Sequence, residues 1–475
     1  MAQKFVKRSP MPATTRQLFD WHTRPAAFDR LAPPWEHVKL LEFEGIRDGQ
    51  RAVIEMKAPF KRRWVAVHRD YVDGLQFRDE QETGPFARWE HAHRCEPDTQ
   101  RKGGSVMVDD VTYVMPLGPL GMLADRIFGR NKIEQMFAHR HRVLRNDLLD
   151  HADAGHLNAD GNGAAKPKLT IAITGASGLI GSRLRGFFES GGHTVRAVRR
   201  TGGGGSVGFN ANAISGADAV IHLAGETISQ KWTDDAKAEI LRSRVEGTRR
   251  VCEIIASLPA AKRPKVLLSA SAVGYYGSRG DEILDEAEPA GTGGRAGKRP
   301  SFLAEVCEAW EGAATEAVAA GVRVVHPRIG VVLTPQGGAL KKMLPAFKAG
   351  VAGKLGDGRQ WWPWVHIDDL CGIFYRCIWD DSVEGPVNVV APEPVTNAVF
   401  TKTLGGVLRR PTLLPLPGFM VKLIFGQMGR ELLLASQRVV PGEMLSAGHR
   451  YRHPDLEGAL RALLGREPHP EEVPA

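Results

Sequence analysis

Residues 169–181 read LTIAITGASGLIG, and this stretch decides the fold of the larger part of the chain. An apolar run typical of a buried strand leads into glycines at positions 175, 178 and 181, where a helical pattern begins. In such a strand–loop–helix unit, the first glycine permits a tight turn, the second lets the backbone approach a pyrophosphate, and the third lets the helix lie close to the sheet. The free N–H groups of the helix then face phosphate oxygens. The stretch predicts dinucleotide binding.

The chain beyond this loop continues to alternate between strand and helix patterns. The segments HTVRAV, ADAVIHLAG, KVLLSAS and VRVVHPRIGVVL read as strands, and they are separated by the helical patterns TDDAKAEILRSRVEGTRRVCEIIASL and FLAEVCEAWEGAATEAVAAG. This alternation predicts an α/β domain with a doubly wound parallel sheet and right-handed crossovers. We assign residues 169–395 to this Rossmann-type domain and residues 396–475 to a C-terminal substrate or cap region.

The end of the second strand indicates which dinucleotide is bound. An NAD site needs an acidic residue about 20 residues after the glycine loop, to accept a hydrogen bond from the ribose 2′-hydroxyl. This chain has Arg199 and Arg200 there, and no acidic residue follows until Asp218. A guanidinium can bind a 2′-phosphate through two parallel hydrogen bonds. The sequence therefore favours NADP(H) over NAD.

A different pattern precedes the glycine loop. Residues 151–168 (HADAGHLNADGNGAAKPK) have no hydrophobic period and read as a linker. Before it, residues 1–150 show a helical TTRQLFDWHT, five extended runs that begin at HVKLLEFE and end at SVMVDDVTYVM, and a long helical pattern over 120–149. A run of strands followed by a helix predicts an α+β domain in which an antiparallel sheet curves around its last helix.

Three phrases in this N-terminal segment, HTRPAAFDRLAPPW, QETGPFARWEHAH and DDVTYVMPLGPLG, resemble the polyketide-cyclase/START-like helix-grip family. The resemblance covers residues 1–150. It implies a separate helix-grip domain with a pocket for an apolar small molecule.

Five motifs after the linker, ITGASGLIG, AVIHLAGE, LLSASAVGYYG, VHPRIGVVL and WVHIDDL, resemble in this order the extended short-chain dehydrogenase/reductase family, of the sugar-epimerase type. The segments GETISQKW, SRVEGTRR and SQRVVPGEML are similar to an atypical epimerase-like subgroup with its own C-terminal extension. The resemblance implies NADP as cofactor and a small-molecule substrate. It also implies cofactor contacts from residues of the glycine loop, the second and third strand ends and the fifth strand: Gly175, Ser177, Gly178, Leu179, Ile180, Gly181, Arg199, Arg200, Leu223, Ala224, Gly225 and Arg328.

The catalytic Tyr-x-x-x-Lys of that family is missing. The matching helix carries Phe302 and Val306 at those positions, and Arg244 stands where the preceding long helix usually has Asn. Phe has no proton to transfer, and Val cannot shift a pKa. Of the usual polar groups, the serine position is kept as Ser271.

Two functions remain open for this site. In the first, an oxidoreductase or epimerase reaction uses Ser271 with Tyr275 or Tyr276, and Arg244 or Lys231 supplies positive charge. In the second, the protein binds NADP(H) without turnover and acts as a sensor or regulator. For Arg328, the alternative to a cofactor contact is a buried structural ion pair.

Two further features have structural interpretations. The stretch WWPWVHIDDL predicts packing tryptophans, with Asp368 or Asp369 as the N-cap of the following helix. His91 and His93 lie two residues apart and share one face of a strand, but no third ligand stands at metal-binding spacing. We expect a polar strand face there, and no metal.

Composition narrows the class of protein. The 475 residues carry a net charge of +9, spread evenly as 25 basic against 21 acidic residues in the first 150, so we expect no nucleic-acid partner. The five cysteines are dispersed, which is typical of reduced thiols. We expect no signal peptide, because the first 20 residues contain no apolar core, and no membrane span, because the apolar stretch LLPLPGFMVKLIFG is short and interrupted. A cytoplasmic protein is expected.

Overall fold

The computed structural model describes residues 2–57, 61–118, 121, 125, 129–157, 164–201, 208–291 and 301–467. The chain divides into two compact units. The first unit comprises residues 1–168, 185–193 and 462–475, and the second comprises residues 169–184 and 194–461. Residues 185–193 and 462–475, which the sequence placed in the C-terminal domains, thus group with the first unit. Among the described residues, no helix combines the length and apolar character needed to cross a bilayer.

The described residues of the N-terminal part of the chain form one antiparallel sheet and three helices. Its elements are β1 (Gln3–Met11), α1 (Thr15–Thr23), α2 (Ala27–Leu31), β2 (Val38–Phe43), β3 (Arg51–Met56), β4 (Arg62–Val72), β5 (Gln76–Thr83), β6 (Arg88–Pro97), β7 (Ser105–Val114) and α3 (Arg130–Asp153). The strand order is β1-β7-β6-β5-β4-β3-β2.

The predicted α+β layout of the first unit is observed, with two strands more than the sequence indicated. β1 and β5 were missed because most of their residues are charged or polar, so that neither shows a run of apolar residues. Helix α1 begins as its capping box requires: Thr14 accepts from the N–H of Gln17, whose side chain bonds back to Thr14. The last helix continues to Asp153 with His151 fully buried, so the predicted linker begins inside a helix.

The chain from residue 169 onward alternates strands and helices as predicted. Its elements are β8 (Thr170–Thr174), α4 (Leu179–Ser190), β9 (Thr194–Val198), β10 (Arg200–Thr201), β11 (Gly208–Phe209), α5 (Ala211–Ile214), β12 (Ala219–His222), α6 (Asp234–Ser257), β13 (Val266–Ser269), β14 (Ser271–Ala272), β15 (Ile283–Leu284), α7 (Phe302–Gly312), α8 (Thr315–Ala319), β16 (Arg323–Ile329), β17 (Val331–Leu333), α9 (Gly338–Lys348), β18 (Trp361–Trp362), β19 (Trp364–His366), α10 (Ile367–Trp379), β20 (Gly385–Val389), β21 (Val395–Thr396), α11 (Asn397–Leu408), α12 (Gly418–Met428), β22 (Arg438–Val439), α13 (Gly442–Ser446) and α14 (Leu456–Leu464).

The main sheet of the second unit is parallel, with the order β9-β8-β12-β13-β16-β20, and β14 also pairs with β16. The Rossmann-like sheet is thereby confirmed. The chain runs from β8 outward to β9 and then returns to the other side of β8 as β12. The strand order therefore reverses between β8 and β12, and at such a switch point the carboxyl ends of the strands open a crevice for a ligand.

Candidate functional site

The glycine loop lies at the switch point of the parallel sheet and is packed as a phosphate loop must be. Gly175 has φ +67°, which favours glycine, and a Cβ there would meet the backbone of Leu223 and Ala224 at 3.3 Å. A Cβ on Gly181 would lie 2.2 Å from the Gly175 carbonyl oxygen and 2.8 Å from Ala176 Cα. Both positions therefore require glycine, and the third glycine brings the first turn of α4 against the loop.

Thr174, the last residue of β8, ties the two strands at the switch point together. Its hydroxyl accepts from the N–H groups of Leu223 at 3.0 Å and Ala224 at 3.2 Å, and it donates to Nδ1 of His222 at 2.8 Å. Burial lowers the pKa of His222 to about 4, so this imidazole stays neutral and can accept. Sequence reasoning missed Thr174, although a polar residue ending an apolar strand was a usable signal.

Other residues predicted to contact the cofactor surround this crevice. Ser177 and Gly178 are exposed in the loop, and Leu179 and Ile180 open helix α4. Leu223, Ala224 and Gly225 follow β12 directly, and a Cβ on Gly225 would lie 3.4 Å from the Arg244 side chain.

Arg199 and Arg200 lie at the carboxyl end of β9, the strand beside β8. Both are exposed, and neither forms an ion pair with another described residue. Two exposed guanidinium groups at this sheet edge are suited to bind an anionic group of a ligand held by the glycine loop. Their use by a cofactor stays a prediction.

A buried polar network lies at the carboxyl ends of β14, β16 and β20. Glu311 on α7 forms a bidentate ion pair with Arg328, at 2.9 Å to Nε and 3.0 Å to Nη2, and accepts from the Ser271 hydroxyl at 2.6 Å. Arg328 also donates to the Tyr276 hydroxyl at 2.9 Å, and that hydroxyl donates to Oδ1 of Asn388 at 2.7 Å. The structural alternative that we gave for Arg328, a buried ion pair, is thus observed.

This network engages two of the three hydroxyls that the sequence proposed for catalysis. Ser271 is 2% exposed and Tyr276 is fully buried, and burial raises the pKa of Tyr276 to about 12. In this structure Ser271 and Tyr276 contact Glu311, Arg328 and Asn388, and their assignment as catalytic residues stays a prediction. Tyr275 remains half-buried, with the Arg328 guanidinium stacked 3.5 Å from its ring centroid.

Helix α7 carries the two positions at which the catalytic pair is missing. Phe302 packs edge-on against Trp232 with 5.2 Å between ring centroids, and Val306 is 2% exposed. Both positions serve packing. Arg244 on α6 donates to the Glu226 carbonyl at 3.0 Å, and its guanidinium lies 5.0 Å from the Trp310 ring on α7.

In the stretch WWPWVHIDDL, two tryptophans are packed in the core as predicted, but the N-cap of the helix that follows is a different residue from the one predicted. Trp362 and Trp364 are buried at 7% and 1% exposure. Helix α10 begins at Ile367, and His366 is its N-cap, accepting from the N–H of Asp368. Asp368 instead pairs with Arg183 at 2.9 Å, and Asp369 accepts from backbone N–H groups of residues 452 and 453. The N-cap prediction was wrong because tertiary partners compete for both carboxylates.

The sequence matches two known protein families. The family model described as the NAD dependent epimerase/dehydratase family matches residues 171–390. A second model, described as a domain of unknown function (DUF1731), matches residues 416–463.

Two curated relatives each match about three fifths of the chain. An epimerase family protein of Arabidopsis thaliana, SDR39U1 homolog, chloroplastic, is 38% identical over 312 residues, which cover 62% of this chain and 87% of that protein. The human epimerase family protein SDR39U1 is 34% identical over 302 residues, which cover 62% of this chain and 100% of that protein.

Two solved structures extend the comparison. The nucleoside-diphosphate sugar epimerase from Corynebacterium glutamicum has a TM-score of 0.76 at 33% identity and covers 98% of this chain and 90% of its own, so the likeness includes the first unit. Human SDR39U1 (isoform2), solved with NADPH, has a TM-score of 0.55 at 33% identity and covers 64% of this chain and 100% of its own.

Proposed function

The chain belongs to the NAD-dependent epimerase/dehydratase family, and from this premise we propose that it binds NADP(H) at the switch point of its parallel sheet. We propose further that it acts on a small-molecule substrate as an oxidoreductase or epimerase. The observation that carries the proposal is the crevice between β8 and β12, where Gly175, Gly181 and Thr174 fix a phosphate loop beside Arg199 and Arg200, two arginines that pair with no described carboxylate.

The residues fit a dinucleotide with a 2′-phosphate. The loop holds Gly178 and the first turn of α4 towards a pyrophosphate, and Ser177, Leu179 and Ile180 line the same turn. Arg199 and Arg200 would hold the 2′-phosphate, and residues 223–225 would contact the cofactor on the β12 side. The human relative, solved with NADPH, supports this choice over NAD.

Tyr275 is the residue that we propose for proton transfer. A bound nicotinamide supplies or accepts a hydride, and the accompanying proton needs a hydroxyl that is not already engaged inside the protein. The hydroxyls of Ser271 and Tyr276 are engaged with Glu311, Asn388 and Arg328. The Arg328 guanidinium holds the Tyr275 ring by stacking, so Ser271 and Tyr276 act as positioning residues for Tyr275.

A specific observation favours the second candidate, a non-catalytic sensor of NADP(H). Phe302 and Val306 occupy the positions of the catalytic pair, and the hydroxyl of Ser271 is engaged in the buried network. In that case the cofactor would stabilise the second unit without being turned over.

A titration tests cofactor binding first. We expect wild-type protein to quench or shift NADPH fluorescence, and Arg199→Ala to weaken NADPH by roughly 10- to 100-fold while changing NADH affinity little, because one charge-assisted interaction is lost. Arg249→Ala, also exposed but on α6, is the matched control. Equal losses for NADPH and NADH would contradict the assignment of the 2′-phosphate site.

Turnover separates the two functions. Reduced-nicotinamide absorbance is followed with panels of carbonyl substrates and nucleotide sugars for wild type and Tyr275→Phe. Activity that falls by at least roughly 100-fold in Tyr275→Phe, with NADPH affinity unchanged, supports the proton-transfer role. Binding without turnover across the panels favours the sensor.

The remaining parts of the proposal concern the ligand of the first unit and the cellular location of the protein. A helix-grip domain with an apolar ligand rests on the layout of sheet and last helix, and mass spectrometry of co-purified small molecules tests it. A cytoplasmic location rests on five buried cysteines without disulfides among the described residues.

A further inference from the structure

The inner face of the sheet in the first unit carries an unusual group of charged and titratable side chains. Asp79 on β5 is the register partner of His91 on β6, and His93 on β6 is the register partner of Asp109 on β7. His141 on α3 faces the same group from the helix side, with Nε2 at 2.7 Å from Asp109 Oδ2. Three adjacent strands and a helix therefore bring two carboxylates and three imidazoles together.

The distances divide the group into two sides. Oδ1 of Asp109 lies 2.9 Å from His91 Nε2 and 2.9 Å from His93 Nδ1. Oδ1 of Asp79 lies 3.2 Å from the other nitrogens of the two rings, His91 Nδ1 and His93 Nε2. Oδ2 of Asp79 accepts from the indole N–H of Trp89 at 3.2 Å. Each imidazole is thus held between two carboxylates.

Hydrogen bonding within the group is incomplete. Nε2 of His91 hydrogen-bonds to Asp109 at 2.9 Å and Nε2 of His93 to Asp79 at 3.2 Å, whereas the buried Nδ1 of His93 has no hydrogen-bond partner among the described residues. A cation bound on the Asp79 side would replace the proton on His93 Nε2. The N–H of that ring would then lie on Nδ1, which is 2.9 Å from Asp109 Oδ1 and could donate to it.

The charge balance leads to the same conclusion. The side chains of His91 and His93 are 2% and 6% exposed, and those of Asp109 and Asp79 are 4% and 16% exposed. The ion pairs that described residues make with these two carboxylates all come from histidines. Two negative charges in a nearly dry core are costly unless they are paired or coordinate a metal.

We propose that Asp79, His91 and His93 bind a divalent transition-metal ion, with zinc as the expected occupant, and that Asp109 orients the two imidazoles from behind. Two imidazole nitrogens and a carboxylate oxygen are common zinc ligands. Two donors around a tetrahedral zinc lie about 3.3–3.5 Å apart, close to the separations here. A ligand histidine usually donates its second N–H to a carboxylate, which is the role of Asp109. A divalent ion also balances the two carboxylates.

This proposal differs from the expectation that no metal is bound. His91 and His93 do share a strand face as predicted, but that face is buried. The third ligand that the sequence lacked comes from β5, a strand whose polar sequence QFRDEQET concealed it. Because Asp79 is brought opposite His91 by strand pairing, no ligand spacing along the chain could show it.

Metal analysis of the full chain tests the proposal. Untagged wild-type protein is dialysed against metal-free buffer, and its zinc, iron, manganese, cobalt and nickel contents are measured by plasma mass spectrometry. The metal-stripped protein is then titrated with Co²⁺, and the visible ligand-field absorbance is recorded. His93→Gln and Asp79→Asn remove single ligands, and His37→Gln, an exposed histidine in the same unit, is the matched control.

We expect about one metal ion per chain in wild type and in His37→Gln, falling at least tenfold in the two ligand variants. The wild-type Co²⁺ complex should show the intense band of tetrahedral coordination. If a ligand variant fails to fold, the metal content and the Co²⁺ spectrum of wild type still decide the question. Trace metal and no tetrahedral band in folded wild type would overturn the proposal and leave protonated imidazoles as the balancing charges.

Discussion

Substitution of Gly181 by alanine tests the phosphate loop directly. The added Cβ would lie 2.2 Å from the Gly175 carbonyl oxygen and 2.8 Å from Ala176 Cα, both backbone atoms. Since an unstrained contact needs more than 3 Å, the first turn of α4 has to move away from the loop by about 1 Å. Overpacking of this kind costs about 1–3 kcal/mol, from which the better helix propensity of alanine subtracts about 1 kcal/mol.

The effect on NADPH binding should exceed the effect on stability. The displaced turn carries the N–H groups that would bind the pyrophosphate, and each charge-assisted hydrogen bond contributes about 1.5–3 kcal/mol. We therefore expect NADPH affinity to fall by roughly tenfold or more, since 1.4 kcal/mol corresponds to a factor of ten. Urea unfolding and NADPH fluorescence titration measure the two quantities on the same preparations.

Gly186→Ala provides the matched control within the same helix. A Cβ at Gly186 meets no atom within 4 Å, so this variant should gain roughly 0.5–1 kcal/mol in stability and bind NADPH as wild type does. If Gly181→Ala also gains stability and keeps wild-type affinity, the close approach of helix and loop is not what holds the cofactor, and the reasoning fails.

Three further predictions follow from buried groups. Glu311→Gln should lower the free energy of unfolding in urea by about 3 kcal/mol, because it leaves the Arg328 guanidinium buried without its anion, whereas Glu308→Gln, exposed on the same helix, should change it by less than about 0.5 kcal/mol. The folded pKa of His222 is about 4, so the unfolded state binds more protons below about pH 6.5; stability should fall by up to about 1 kcal/mol per pH unit from there towards pH 4, and less steeply in His222→Gln. All five cysteines are buried, and burial raises the pKa of Cys95 and Cys377 to about 12, so a thiol reagent should react with none in folded protein and five after unfolding.

The second unit was predictable because its signals are local. The apolar strand before Gly175, the glycine spacing and the helical pattern after Gly181 lie within one continuous stretch, and the strand and the helix form where the pattern indicated. The absence of acidic residues around Arg199 is likewise a property of the sequence alone. Sequence patterns of this kind reflect the local backbone conformation, which is determined by residues that are neighbours along the chain.

The buried networks were not predictable, because their members lie far apart in the chain. The Tyr276 hydroxyl bonds to Asn388, which is 112 residues away, and Ser271 bonds to Glu311, which is 40 residues away. The sequence offered Ser271 and Tyr276 as candidate catalytic groups, but a hydroxyl in a family motif gives no sign of the partner that it bonds to in the folded chain. Folding decided this by placing an arginine and a carboxylate beside them.

The sequence by itself determined the order of strands and helices, the phosphate loop, the arginines at the strand end, and the loss of the catalytic pair at Phe302 and Val306. The tertiary structure alone decided that the hydroxyls of Ser271 and Tyr276 are held in a buried network, and that the carboxylates of Asp79 and Asp109, on two other strands, meet His91 and His93. The physical reason is that secondary structure follows from neighbouring residues, whereas the pairing of buried polar groups depends on strand register and burial, which exist only once the chain has folded.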